Sequence, residues 1–172
     1  MNGKTVAISN TIMTELVMPN DTNPLGNLMG GNLMRWMDIA GGICAARHSE
    51  SFVVTASVDH VSFSDSVKVG EIVTLNASIT RAFNSSMEVY IEVFTATIPD
   101  QKPRKSNHAY LTFVALDKAT MKPKLVPPVI PLTEEEEKRY EGAVRRRELR
   151  LILSGRMEAK DAKDLRDYFN KL

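Results

Sequence analysis

The chain has 172 residues, 43% of them hydrophobic, which suits one domain with a substantial core and an appendage. A formal net charge of +1 gives no reason to expect a nucleic-acid or membrane partner. The single cysteine, Cys44, excludes an intrachain disulfide, no stretch is long and apolar enough to span a bilayer, and no signal-peptide pattern follows Met1. The expectation is a cytoplasmic protein of a reducing compartment.

Thr5 to Leu16 is rich in β-branched residues and reads as a first strand. Met18 to Gly26 is dense in Pro, Asn and Gly and reads as a loop. A helix follows from about Gly31 to about His48, about 27 Å long and apolar nearly all the way round, the pattern of a buried helix. Trp36 and the methionines at 29, 34 and 37 read as core, and Arg47 and His48 place cations at its negative end. Four strand-like runs come next: Phe52 to Ser62, Glu71 to Ala82, Met87 to Ile98 and His108 to Leu116. In the second, Val73, Leu75, Ala77 and Ile79 alternate with polar residues. The third is apolar on both parities, as in a central strand covered on both sides.

Turn-like connections at Asp65 to Gly70 and Ala82 to Ser86 favour antiparallel neighbours. The layout is therefore α+β, with an antiparallel sheet curled round one helix. An apolar outer sheet face predicts oligomers to cover it. Lys118 to Leu132 carries four prolines and reads as a linker. Residues 1–132 thus form the domain and residues 133–172 a helical tail. In the tail, Thr133 and Glu136 match a capping box, Gly155 stops the first helix, and Arg156 to Leu172 makes a shorter one. The Arg145-Arg146-Arg147 run reads as a solvated face, because acids nearly balance bases after Pro131.

Asp38 is the residue that points to chemistry. A carboxylate in a buried helix loses hydration at a cost of several kcal/mol unless it is paired or used. Arg35 is the structural partner to consider. Eight residues upstream, Gly30-Gly31 marks the helix start, whose free N–H groups favour an anion. Donors at a helix start and a carboxylate two turns along suit hydrolysis of a carbonyl compound. His48, His60 and His108 lack metal-ligand spacing, so no metal is expected. No Gly-x-Ser-x-Gly element is present, and Cys44 in its apolar stretch is a poor nucleophile.

The run Asn23-Pro24-Leu25-Gly26-Asn27-Leu28-Met29-Gly30-Gly31, with Asp38 following, resembles the signature of hot-dog-fold acyl-CoA thioesterases. It is most similar to the cytosolic, brain-type acyl-CoA hydrolases and their small bacterial relatives. The likeness continues through Ala45-Ala46-Arg47-His48, Val54 to Asp59, Ser85-Ser86-Met87-Glu88 and Phe113 to Leu116, covering roughly residues 5 to 132. It implies a long central helix wrapped by the sheet, and dimers with active sites shared between protomers. It also implies an Asn from one protomer and an Asp from the other, at positions matching Asn23 and Asp38, and a trimer of dimers as a common assembly.

On that resemblance the expected activity is hydrolysis of acyl-CoA to fatty acid and CoA, without a cofactor. Backbone N–H groups near Gly30 and Gly31 would hold the oxyanion. Asp38 would act as general base, with burial raising its pKa, or as nucleophile through an anhydride. Asn23 would hold the water or the carbonyl. Lys102, Arg104 and Lys105 form a basic cluster for the CoA phosphates, with Lys105 leading. Asn84, Ser85 and Ser86 could assist from a turn, and Thr55 and Ser57 could line the pantetheine channel. The alternative is a non-catalytic acyl-CoA-binding regulator on the same fold.

Overall fold

The alternating strands bury one face and the helix supplies what they bury it against. The computed structural model describes residues 1–63, 65–99 and 102–171. In chain order it contains β1 (Lys4–Thr5), β2 (Thr11–Leu16), α1 (Gly30–Ser49), β3 (Phe52–Phe63), β4 (Glu71–Ala82), β5 (Ser86–Thr97), β6 (Arg104–Leu116), β7 (Val129–Ile130), α2 (Glu134–Leu153) and α3 (Lys163–Phe169). Five strands form one antiparallel sheet in the order β2-β4-β5-β6-β3. β1 and β7 pair in parallel as a separate ribbon. This is the α+β hot-dog arrangement, with α1 lying in the curl of the sheet. Among the described residues, no helix is long and apolar enough to cross a membrane.

The core lies between α1 and the inner sheet face. Val73, Leu75, Ala77 and Ile79 of β4, Val89, Ile91 and Val93 of β5, and Leu111 and Phe113 of β6 are all fully buried. Each large aliphatic side chain removed from water contributes roughly 1.5–3 kcal/mol. They meet Leu33, Trp36, Met37, Ala40 and Cys44, which recur at helical spacing on one face of α1. Gly41 lets the helix approach the sheet closely: a Cβ there would stand 2.9 Å from the Phe113 ring.

Several expectations are corrected. The first strand is broken into β1, a 3₁₀ turn at Val6–Ile8 and β2. There Val6 turns into the core and the Ser9 hydroxyl donates to its carbonyl. β6 begins at Arg104, four residues before the expected start. α1 is not buried all round: Met34, Ile39 and Ile43 are exposed, beside exposed Phe52, Val54 and Val58 on edge strand β3. An all-round apolar helix needs two partners, and the single chain supplies only the sheet. Met29 is likewise exposed, whereas Trp36 and Met37 are core.

The outer sheet face is covered by the chain's own α2, not left wholly to oligomer contacts. Arg146 of α2 donates from Nε and Nη2 to the fully buried Glu88 carboxylate and lies over the Tyr110 ring. Arg139 lies over Tyr90, and Arg147 over Phe83. The arginine run is therefore a docking face, not a solvated one. The predicted capping box is present: Glu136 N–H donates to Thr133 Oγ1 and Thr133 N–H to Glu136 Oε2, both at 3.2 Å. α2 ends at Leu153 with Gly155 in the left-handed region at φ +70°. The last helix is shorter than predicted and starts only at Lys163, where the buried Glu148 accepts from the Asp164 and Leu165 N–H groups. Leu172 lies outside the described residues.

Candidate active site

The loop before α1 is shaped by Asn23. Its Oδ1 accepts from the N–H groups of Leu25 at 3.0 Å and Asn27 at 3.2 Å, an Asx turn ahead of Pro24. With the side-chain carbonyl engaged, the Nδ2 amide is the group left to meet a ligand, and it can only donate. Gly26 closes the turn at φ +73°. Met29 stands at the helix N-cap position without a side-chain cap, and among the described residues the Gly30 and Gly31 N–H groups have no acceptor. Two donors without an acceptor thus stand at the positive end of a twenty-residue helix, an arrangement that favours an anion. A Cβ at Gly30 would press on the Phe63 ring at 3.3 Å, while Gly31 is open. Asn23, Gly30, Phe63, Ser66 and Asn107 share a cavity of about 330 Å³.

Asp38 lies elsewhere. It is exposed on the open stripe of α1, among Met34, Ile39 and Ile43, so the expected burial is absent in the single chain. The Thr55 hydroxyl donates to Asp38 Oδ1 at 2.5 Å. Among the described residues no salt bridge joins Asp38 to Arg35, the structural alternative. Eight helical residues separate Asp38 from Gly30, about 12 Å along the axis. One chain therefore does not bring Asn23 and the glycine donors onto its own Asp38. Thr55 serves Asp38 directly, a role that its expected place in a pantetheine channel does not capture.

The proposed CoA contacts divide between two ends of the sheet. Lys105 pairs across from Phe94, and Ser86 across from Val114, nine positions apart on β6. That is about 30 Å at the rise of a strand, so they do not grip one phosphate group within a chain. Lys105 Nζ donates to Glu92 at 2.7 Å and to the Tyr90 hydroxyl at 3.2 Å, and the Glu92 carboxylate holds its pKa above the usual lysine value. Arg104 is engaged with Glu71, Asp65 and the Ser66 carbonyl beside the Asn23 cavity. Lys102 is exposed. At the other end Asn84 is exposed, and Ser57, Ser85 and Ser86 gather near arginines of the tail. Ser57 donates to Asp59, which is ion-paired with Arg150. The sequence signal that could have found those arginines was the run at 145–147, set aside because its net charge was balanced.

Two titratable groups stay out of the chemistry. Burial pushes the Cys44 thiol up to about 12, so it is not a nucleophile. Burial lowers the His48 pKa, and its Nε2 donates to the Pro127 carbonyl at 2.9 Å, so it is not a cation for the helix end. No His/Cys/Asp/Glu group able to hold a metal occurs among the described residues, which exclude the His60 side chain.

A five-stranded antiparallel sheet curled round one long helix defines a hot-dog fold. Residues 25–100 match the Thioesterase superfamily domain. The mouse acyl-coenzyme A thioesterase 11 is 41% identical over 143 residues, which are 81% of this chain but 23% of that protein. The chain thus spans about a quarter of that curated relative's length. Among solved structures, an apo-hexameric acyl-CoA thioesterase superposes with a TM-score of 0.85 at 39% identity, covering 90% of this chain and 98% of that one. The Staphylococcus aureus acyl-CoA hydrolase, solved with butyryl coenzyme A, gives 0.83 at 34% identity, with coverage of 97% and 98%. The chain belongs to the Thioesterase superfamily.

Proposed function

We propose that the protein is an acyl-CoA thioesterase that hydrolyses acyl-CoA to a fatty acid and CoA. The observation that carries this reading is the split site. The glycine donors with Asn23 and the Asp38–Thr55 pair lie about 12 Å apart on one helix, yet both are unfinished. A second copy completes them. β3 is an open sheet edge, and its exposed Phe52, Val54 and Val58 adjoin the exposed stripe of α1 that carries Asp38. Pairing along β3 would cover both, giving a homodimer with two equivalent sites, and three such dimers would form a hexamer. The hexameric state of the similar thioesterase supports self-association.

In the completed site the thioester carbonyl points at the Gly30 and Gly31 N–H groups and Asn23 Nδ2 of one protomer, and the Asp38–Thr55 pair comes from the other. Asp38, oriented by Thr55, takes a proton from water as the water oxygen attacks the carbonyl carbon. The C–S bond then breaks and the proton passes to the leaving CoA thiolate. Covering the stripe excludes bulk water from around Asp38 and the reacting carbonyl. The Staphylococcus aureus hydrolase has been solved with an Asn, an Asp and a Thr each replaced by Ala, and the same spacings separate Asn23, Asp38 and Thr55 here. That match supports the three residues as one working set.

The test is release of CoA thiol from acyl-CoAs of two to sixteen carbons. Asp38→Asn is expected to lower turnover by roughly 10²–10⁴-fold with melting temperature equal or raised. Mixing Asp38→Asn with Asn23→Ala chains is expected to restore part of the activity. Near-normal turnover in Asp38→Asn would overturn the assignment, and tight acyl-CoA binding without turnover by the native protein would favour the regulator.

A further inference from the structure

The geometry points to Arg104 and Glu71 as a pair of positioning residues that hold the Asn23 loop in its working shape. The inference rests on the function proposed above, because the group they place is Asn23. Sequence puts Arg104 among the CoA phosphate contacts, but its guanidinium is engaged within the protein. Arg104 Nη2 donates to Glu71 Oε1 at 2.9 Å and to the Ser66 carbonyl at 3.4 Å, and Nη1 donates to Asp65 Oδ2 at 3.5 Å. Two carboxylates against one guanidinium leave that group no surplus charge to offer a phosphate. Glu71 is only 8% exposed, and both of its oxygens are used: Oε1 accepts from Arg104 and Oε2 from the Lys68 N–H at 2.6 Å. A carboxylate buried to that degree is costly unless it is paired. Both pairings secure one stretch of chain, residues 65–70 between β3 and β4. That stretch is otherwise exposed, with Val67 alone turned into the core.

The backbone of the same stretch is bonded to the Asn23 loop. The Leu28 N–H donates to the Val67 carbonyl at 2.7 Å and the Val69 N–H to the Gly26 carbonyl at 3.1 Å, while Asn27 and Lys68 pair as an antiparallel bridge. The Asn23 turn closes on these fixed residues. Its Oδ1 accepts from the Leu25 and Asn27 N–H groups, and its own N–H donates to the Asn27 carbonyl at 2.8 Å. A continuous run of hydrogen bonds therefore leads from β6 and β4, through residues 66–69, to the Asn23 amide. Asp65, Ser66 and Val67 also line the cavity of about 330 Å³ that holds Asn23 and Gly30, so a shift of the stretch moves the cavity wall as well. A displacement of about 1 Å at a positioned group can cost on the order of 10²-fold in rate.

The test compares the native full chain with Arg104→Met, Glu71→Ala and Glu71→Gln. Their kcat and KM are measured on an acyl-CoA and on the matching acyl-pantetheine, which lacks the phosphates. Arg104→Met and Glu71→Ala are expected to lower kcat roughly 10–100-fold, to the same extent on both substrates. Glu71→Gln keeps an oxygen acceptor and is expected to recover part of that loss. In an Asn23→Ala background, Arg104→Met is expected to change kcat by no more than about twofold, since the group it positions is gone. Hydrogen exchange across residues 23–28 is expected to quicken about tenfold in Arg104→Met while that of β4 and β5 is unchanged, which a general loss of stability would not produce. A raised KM for acyl-CoA with normal turnover of acyl-pantetheine would return Arg104 to the phosphates and overturn the inference. Additive losses with Asn23→Ala, or unchanged exchange at residues 23–28, would overturn it too. Accelerated exchange at residues 23–28 in Arg104→Met, with no turnover by the native protein, would uphold the positioning and overturn only the proposed activity.

Discussion

Replacing Arg146 by Ala is expected to be among the most destabilising changes on the surface of this protein. Glu88 is fully buried, and its carboxylate accepts from Arg146 Nε at 3.1 Å, from Arg146 Nη2 at 2.7 Å and from Thr80 Oγ1 at 2.5 Å. Removing one partner of a buried pair costs about 3–5 kcal/mol, because the other charge stays buried and unpaired. Thr80 remains as a donor and Arg146 is partly exposed, which places the expected loss near the lower end, about 3 kcal/mol. For a chain of this length that lowers the melting temperature by roughly 6–12 °C. Urea and thermal unfolding followed by circular dichroism would measure it, at one fixed protein concentration because self-association adds to apparent stability. The double variant Arg146→Met/Glu88→Leu removes both charges and is expected to recover to within about 1 kcal/mol of native. A loss below about 0.5 kcal/mol for Arg146→Ala, or a double variant no better than the single, would refute the reasoning.

Three further outcomes are expected. Gly41→Ala forces a methyl to within 2.9 Å of the Phe113 ring and should destabilise by about 1–2 kcal/mol. Gly42→Ala, whose methyl meets only ordinary contact at 3.7 Å, should instead stabilise by up to about 1 kcal/mol; equal effects in chemical unfolding would count against the packing. Burial lowers the His48 pKa in the folded state, so the unfolded chain binds more protons as the pH drops below about 6.5. Stability should be full above that pH and decline as the pH falls toward the folded-state pKa. His48→Gln should flatten this slope between pH 7 and 5, and an unchanged slope would refute the role. Thr133→Ala removes the cap on α2 and should cost about 1 kcal/mol, read as a lower urea midpoint at unchanged m.

Much of this protein was determined locally. The alternation of Val73, Leu75, Ala77 and Ile79 requires one buried strand face whatever the neighbours are, and all four are buried. The capping box at Thr133 and Glu136 and the stop at Gly155 depend on bonds or dihedrals within a few residues, so they too were legible. The same holds for the donors at Gly30 and Gly31, which follow from where the helix begins. Tertiary structure decided the rest. An apolar helix does not announce which stripe meets its own sheet, so Asp38 was expected buried and stands exposed beside Thr55. β6 carries Lys105 and the partner of Ser86 at opposite ends, because strand register, not nearness in sequence, sets distance across a sheet. The arginines of the tail look balanced by neighbouring acids along the chain. Packing of α2 on the sheet instead gives Arg146 to a buried glutamate and turns Arg147, Arg150 and Arg156 toward serines far away in sequence, since charge is neutralised by neighbours in space.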